Sequence, residues 1–133
     1  MERIVKFLVI LLLSLPMLSA FADTPGQPKS TLGTPQVVTL PQCIKTFNVN
    51  FEKLLFLTEA AISSSNYNIE EIQTQGGYIV FTVSGYKFLA TVMDFGDSKA
   101  ILKITPCNGN YTFPPVIIRN IFLYIESNQY KKF

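Results

Sequence analysis

Apolar residues change their spacing along this chain, and each change marks an element. From Phe47 onward they recur three and four residues apart: Phe47, Phe51, Leu54, Leu55, Thr58, Ala61 and Ile62 share one face at helical period. Asn48 or Asn50 is placed to cap the first turn, and Glu52 lies near the positive end of the helix dipole. The run Ser63–Asn66 predicts the stop, because serine and asparagine side chains compete for the helical backbone.

The period then shortens to two. Four candidate strands follow. "YNIEEIQT" is the weakest, since Ile69 and Ile72 are three apart rather than two. "GGYIVFTVSG" is β-branched and aromatic between glycines, "YKFLATVMDF" continues it, and the turn Gly96–Ser98 leads into "KAILKIT". Links this short allow hairpins and exclude parallel crossovers. After the turn Asn108–Asn110, Pro114 and Pro115 suit the start of a second helix. Its apolar face is Ile117, Ile121, Tyr124 and Ile125, and Arg119, Asn120, Glu126 and Ser127 mark its polar side. These elements predict an α+β two-layer domain: helix, four-stranded antiparallel meander, helix, with both helices on one sheet face.

Two helices on one face leave the other face open. Strand alternation assigns Ile79, Phe81, Val83, Phe88, Ala90, Val92, Ala100, Leu102 and Ile104 to the covered side. The opposite set contains Tyr78, Val80, Thr82, Leu89, Thr91, Met93 and Ile101. That is a large apolar content for a surface facing water, and such patches mark contacts. These seven residues are the candidate interaction face.

The start of the chain reads differently. Arg3 and Lys6 precede the apolar run Phe7–Ala22, which Pro16 interrupts. The run is short of the about 20 residues a membrane span needs. A basic start, a short apolar stretch and the small-x-small triplet Ala20-Phe21-Ala22 predict a secretory signal over 1–22, cleaved after Ala22. If it stays uncleaved, it is an N-terminal membrane anchor. Residues 23–41 carry Pro25, Pro28, Pro35 and Pro41 and no apolar period, which predicts a Pro/Thr-rich flexible linker. Residues 42–133 then form one domain, and the chain of 133 residues has no room for a second.

Composition removes several chemistries. The net charge is only +2, too small a field to recruit nucleic acid. There is no histidine, so Ser-His-Asp and Cys-His nucleophile systems cannot be built, and the commonest metal ligand is missing. Two cysteines cannot make a four-ligand zinc site. Asp94 and Asp97 flank a turn, and Glu70 and Glu71 read as edge-strand charges that oppose aggregation. No catalytic, cofactor or metal site is assigned.

In an exported chain, Cys43 and Cys107 are expected to pair as a disulfide. The loop-entropy model gives such a bond roughly 4 kcal/mol. The functional expectation is a small exported, periplasmic or extracellular, non-catalytic protein. It would engage a protein partner or a second copy of itself through the open sheet face. The alternative is a carrier of a small apolar ligand held between sheet and helices, lined by Phe51, Phe81, Phe88 and Phe122.

Overall fold

The computed structural model describes residues 32–132. The leader expected over 1–22 and the first part, 23–31, of the linker expected over 23–41 lie outside the described residues. In chain order the elements are β1 (Gln36–Val37), a 3-10 turn (Leu40–Cys43), β2 (Ile44–Phe47), α1 (Phe51–Ser64), β3 (Asn68–Gln73), β4 (Tyr78–Val83), β5 (Tyr86–Gly96), β6 (Lys99–Pro106), β7 (Thr112–Phe113) and α2 (Val116–Asn128). The expected two-layer α+β architecture is present, with the helices packed on one face of an antiparallel sheet.

The sheet has five strands, in the order β2-β6-β5-β4-β3. The fifth is β2, which the helical reading of Phe47 concealed. Ile44 and Thr46 point outward while Phe47 is buried, and Phe47 pairs with Ala100 on β6. The helix starts later, at Phe51, because the Asn50 side chain accepts a 2.8 Å hydrogen bond from the Lys53 N–H. That satisfies one of the orphan donors of the first turn. The folded unit also reaches further towards the N-terminus than Gln42. β1 pairs with β7, Val38 donates to the Tyr111 carbonyl at 2.8 Å, and the Val38 side chain is buried.

β3 explains its own irregular spacing. Ile69 pairs with Phe81 and Glu71 with Val80, so Glu70 is an extra residue, a β-bulge. The bulge lets Ile69 and Ile72 face the helices although they are three residues apart. The turns follow backbone chemistry. Ser84 (φ 48°) and Gly85 (φ 86°) join β4 to β5, and Asp97 (φ 52°) and Ser98 (φ 59°) join β5 to β6. Two consecutive positive φ values match the right-handed twist of a hairpin.

α1 ends in a Schellman motif. Asn66 is left-handed (φ 63°), its N–H reaches the Ser63 carbonyl at 3.0 Å, and the Tyr67 N–H reaches Ile62 at 3.1 Å. α2 begins after Pro115 and buries Ile117, Ile118, Ile121 and Ile125. Ile118 is an addition to the expected face, and Tyr124 is only half-buried. Between the layers Phe81 stacks on Phe88 at 5.4 Å, Phe88 meets Phe113 edge-on at 5.0 Å, and Phe47 meets Phe122 at 6.1 Å. Each fully buried ring or aliphatic side chain here contributes about 1.5–3 kcal/mol relative to exposure. Lys45 closes the edge of this layer through a 2.7 Å ion pair with Glu126 on α2.

Candidate functional site

Strand register sets the outward side chains in rows. One row is Thr46, Ile101 and Met93. The next is Ile44, Lys103, Thr91, Tyr78 and Gln73. A third is Thr105, Leu89, Val80 and Glu71, and the last is Lys87, Thr82 and Asn68. The seven residues expected on the open face therefore lie together on one surface. Burial alternates over Tyr78–Thr82 and Lys99–Thr105, with Ile79, Phe81, Ala100, Leu102 and Ile104 fully enclosed between more exposed neighbours. Val83, expected on the covered side, is only half-buried at the end of β4.

The cross-strand partners give this face its character. Met93 sits opposite Ile101, and Val80 opposite Leu89. Opposed apolar side chains on neighbouring strands touch and shield one another, which is why most of this set is half-buried. Met93 remains 39% exposed and Phe95, beyond it on the β5–β6 hairpin, 60%. Sequence reasoning missed Ile44, which is 37% exposed and extends the apolar area onto β2. The alternation of Ile44 and Thr46 was its only signal, and Phe47 at helical distance from Phe51 hid it.

Polar groups frame the patch. Tyr78 donates its hydroxyl to Glu71 Oε2 at 2.9 Å, and Gln73 donates to the same oxygen at 3.5 Å. The Glu71 carboxylate favours the neutral phenol and so holds the Tyr78 pKa above the usual tyrosine value. Lys103 lies on β6, two strands from Tyr78 in the same row. Among the described residues no carboxylate pairs with it; the ion pairs there are Lys45–Glu126 and Lys87–Glu70.

The expected disulfide is not formed: both cysteines are free. Cys43 is fully buried at the end of the 3-10 turn, and its Sγ donates to the Thr39 carbonyl at 3.5 Å. Burial pushes this thiol above its usual pKa. Cys107 is exposed past the end of β6, its N–H bonded to the Lys87 carbonyl at 2.9 Å. The pairing of Ile44 with Lys103 brings Cys43 level with Ile104, three residues short of Cys107. At about 3.3 Å per residue that offset is roughly 10 Å, beyond the reach of a disulfide.

The phenylalanines assigned to a ligand cavity pack against one another or the backbone. Phe81 and Phe88 are fully enclosed, Phe122 meets Phe47, and Phe51 lies over Gly77. The clefts lie at the surface. One, of about 850 Å³, runs between the start of α1 and Tyr130–Lys132. Another, of about 270 Å³, lies beside Cys107, Tyr86 and Asn108. Among the described residues no cluster of acidic or cysteine side chains is arranged to hold a metal ion, and no helix is long and apolar enough to cross a membrane.

No protein-family model matches this chain, and no curated protein matches it either.

Proposed function

We propose that this chain is an exported, non-catalytic binding protein that contacts a protein surface through the outward face of β4, β5 and β6. The observation that carries the reading is the apolar content of this outward face: Met93 stands against Ile101 in one row and Leu89 against Val80 two rows on, with Thr91 and Lys103 between them and Ile44 and Tyr78 beside. Neither helix lies on this side of the sheet. A large apolar content on an outward face is a mark of a contact surface. The absence of histidine from the sequence supports a non-catalytic role, because the commonest general base at neutral pH is missing. Export rests on the basic, apolar and small-residue pattern of Met1–Ala22.

The test places a photo-crosslinking amino acid at Met93, with Glu59 on the exposed side of α1 as the control. Irradiation of the producing cells should give an adduct of defined mass from position 93 and none from position 59. No adduct at 93, or the same adducts from both positions, would remove the reading. Intact-mass analysis of the same material tests export: the mature chain should begin at Asp23.

A further inference from the structure

We propose that the occupant of this face is a second copy of the same chain, placed by a two-fold axis that runs in the interface along the boundary between β5 and β4. The inference rests on the reading above that the face is a contact surface. It adds which surface fits it.

The argument is the sheet order combined with the placement of charge. In the order β2-β6-β5-β4-β3, the strands β6 and β3 lie equally far from the β5–β4 boundary. A two-fold axis along that boundary therefore lays β6 of one copy over β3 of the other, and β5 over β4. The pattern of the face suits this overlay. Lys103 stands on β6 with no carboxylate partner among the described residues. Glu71 stands on β3, one row away in register, on the far side of the axis. The midpoint between Lys103 and Glu71 falls among Tyr78, Val80, Leu89 and Thr91, at the centre of the face. That rotation lays Lys103 over the Gln73 position of the other copy, one row or roughly 7 Å from Glu71, does the same in reverse, and sets Leu89 of β5 over Val80 and Thr91 over Tyr78 of β4.

Glu71 is oriented for this contact. The Tyr78 hydroxyl and the Gln73 amide both hold Oε2, so the carboxylate stays on the outward face. Aligned packing of two sheets across an apolar layer is a common solution for such faces. The ion pairs at its rim set register more than affinity. The β3 edge offers a poorer route to self-association: it is interrupted by the bulge at Glu70, which is also committed to Lys87 at 3.2 Å, and the other edge, β2, is only four residues long.

Sedimentation velocity of the purified full chain over a wide concentration range tests the proposal. The chain should dimerise reversibly. Lys103→Glu alone and Glu71→Lys alone should each weaken the dimer at least about tenfold, since each turns two attractions into repulsions. An equimolar mixture of the two variants should restore dimer, because each copy then supplies the charge the other lacks. Far-ultraviolet circular dichroism shows that each variant is folded. A wild-type chain that stays monomeric overturns the proposal. A defined adduct to a different protein at position 93 would then leave the contact face standing, and no adduct would remove both. A dimer that survives Met93→Glu unchanged, or a mixture that fails to restore it, also overturns the proposal.

Discussion

Gly77 lies directly beneath Phe51: a β-carbon at this glycine would stand 2.7 Å from Phe51 Cε1 and 2.9 Å from the Val92 carbonyl oxygen. The contact ties the start of α1 to the β3–β4 turn. It also leaves the Gly77 carbonyl free to accept from Val92 at 2.7 Å. Gly77→Ala must displace the ring or the backbone, and it must do so at φ +72°. The expected cost is about 2–4 kcal/mol, combining overpacking with a left-handed alanine. Gly85 provides the control. Its φ is +86° but nothing lies within 4 Å, so Gly85→Ala should lose only the conformational part, about 1 kcal/mol. Urea denaturation of both variants checks the difference.

The turn and cap residues offer opposite signs. Ser84 holds a positive φ that serine adopts reluctantly, whereas asparagine accepts it at the first position of a type I′ turn. Ser84→Asn should therefore raise stability by about 0.5 kcal/mol. Asn66→Gly should do the same at the left-handed end of α1. Asn50→Ala removes the acceptor for the Lys53 N–H and should cost about 1 kcal/mol. Thermal midpoints of the three single variants give the order directly.

Periodicity made β4, β5, β6, α1 and α2 legible because each has a glycine-, proline- or asparagine-marked boundary and a single dominant spacing. It failed where two periods overlap. Phe47 is four residues before Phe51, so it reads as helix, yet it ends β2 opposite Ala100. Ile69 and Ile72 break the strand period because the bulge at Glu70 restores their common side, and a bulge has no period of its own. β1 is a two-residue strand whose partner is β7, a pairing no local pattern carries. The candidate face was readable strand by strand. Its rows were not, because register depends on turn geometry. The opposition of Met93 to Ile101, and the separation of Lys103 from Glu71, both come from register.

The cysteines differ in access, and labelling should show it. Cys43 is enclosed and its thiol is held protonated by burial, while Cys107 is exposed. Only the thiolate alkylates. Under native conditions at mildly alkaline pH, iodoacetamide should label one thiol per chain, at Cys107. The second label should appear only after denaturation, without a reductant. A chain that accepts no label until it is reduced would show that the two cysteines are oxidised.

Alkaline pH should destabilise the fold through its tyrosines. Burial raises the Tyr67 pKa more than its hydrogen bonds with Asn120 and Ser65 lower it, and the Tyr67 hydroxyl donates to the Ile117 carbonyl at 3.4 Å. Tyr78 is raised as well, by its hydrogen bond to Glu71. A group whose pKa is higher in the folded state than in the unfolded state keeps its proton longer when folded. Its contribution is therefore complete below the ordinary tyrosine value near pH 10 and is lost as pH rises through the folded value. Urea midpoints measured from pH 7 upward should begin to fall in the ordinary thiol range, about pH 8.5–9, where the buried Cys43 resists ionisation. They should fall further beyond about pH 10 as the tyrosines titrate. Tyr67→Phe should cost about 1 kcal/mol at pH 8, for the lost hydrogen bond, and should make the alkaline fall shallower. A variant that falls as steeply as the wild-type chain would show that Tyr67 does not carry the dependence. The slope would then be measured in Tyr78→Phe, where the hydroxyl that Glu71 holds is removed.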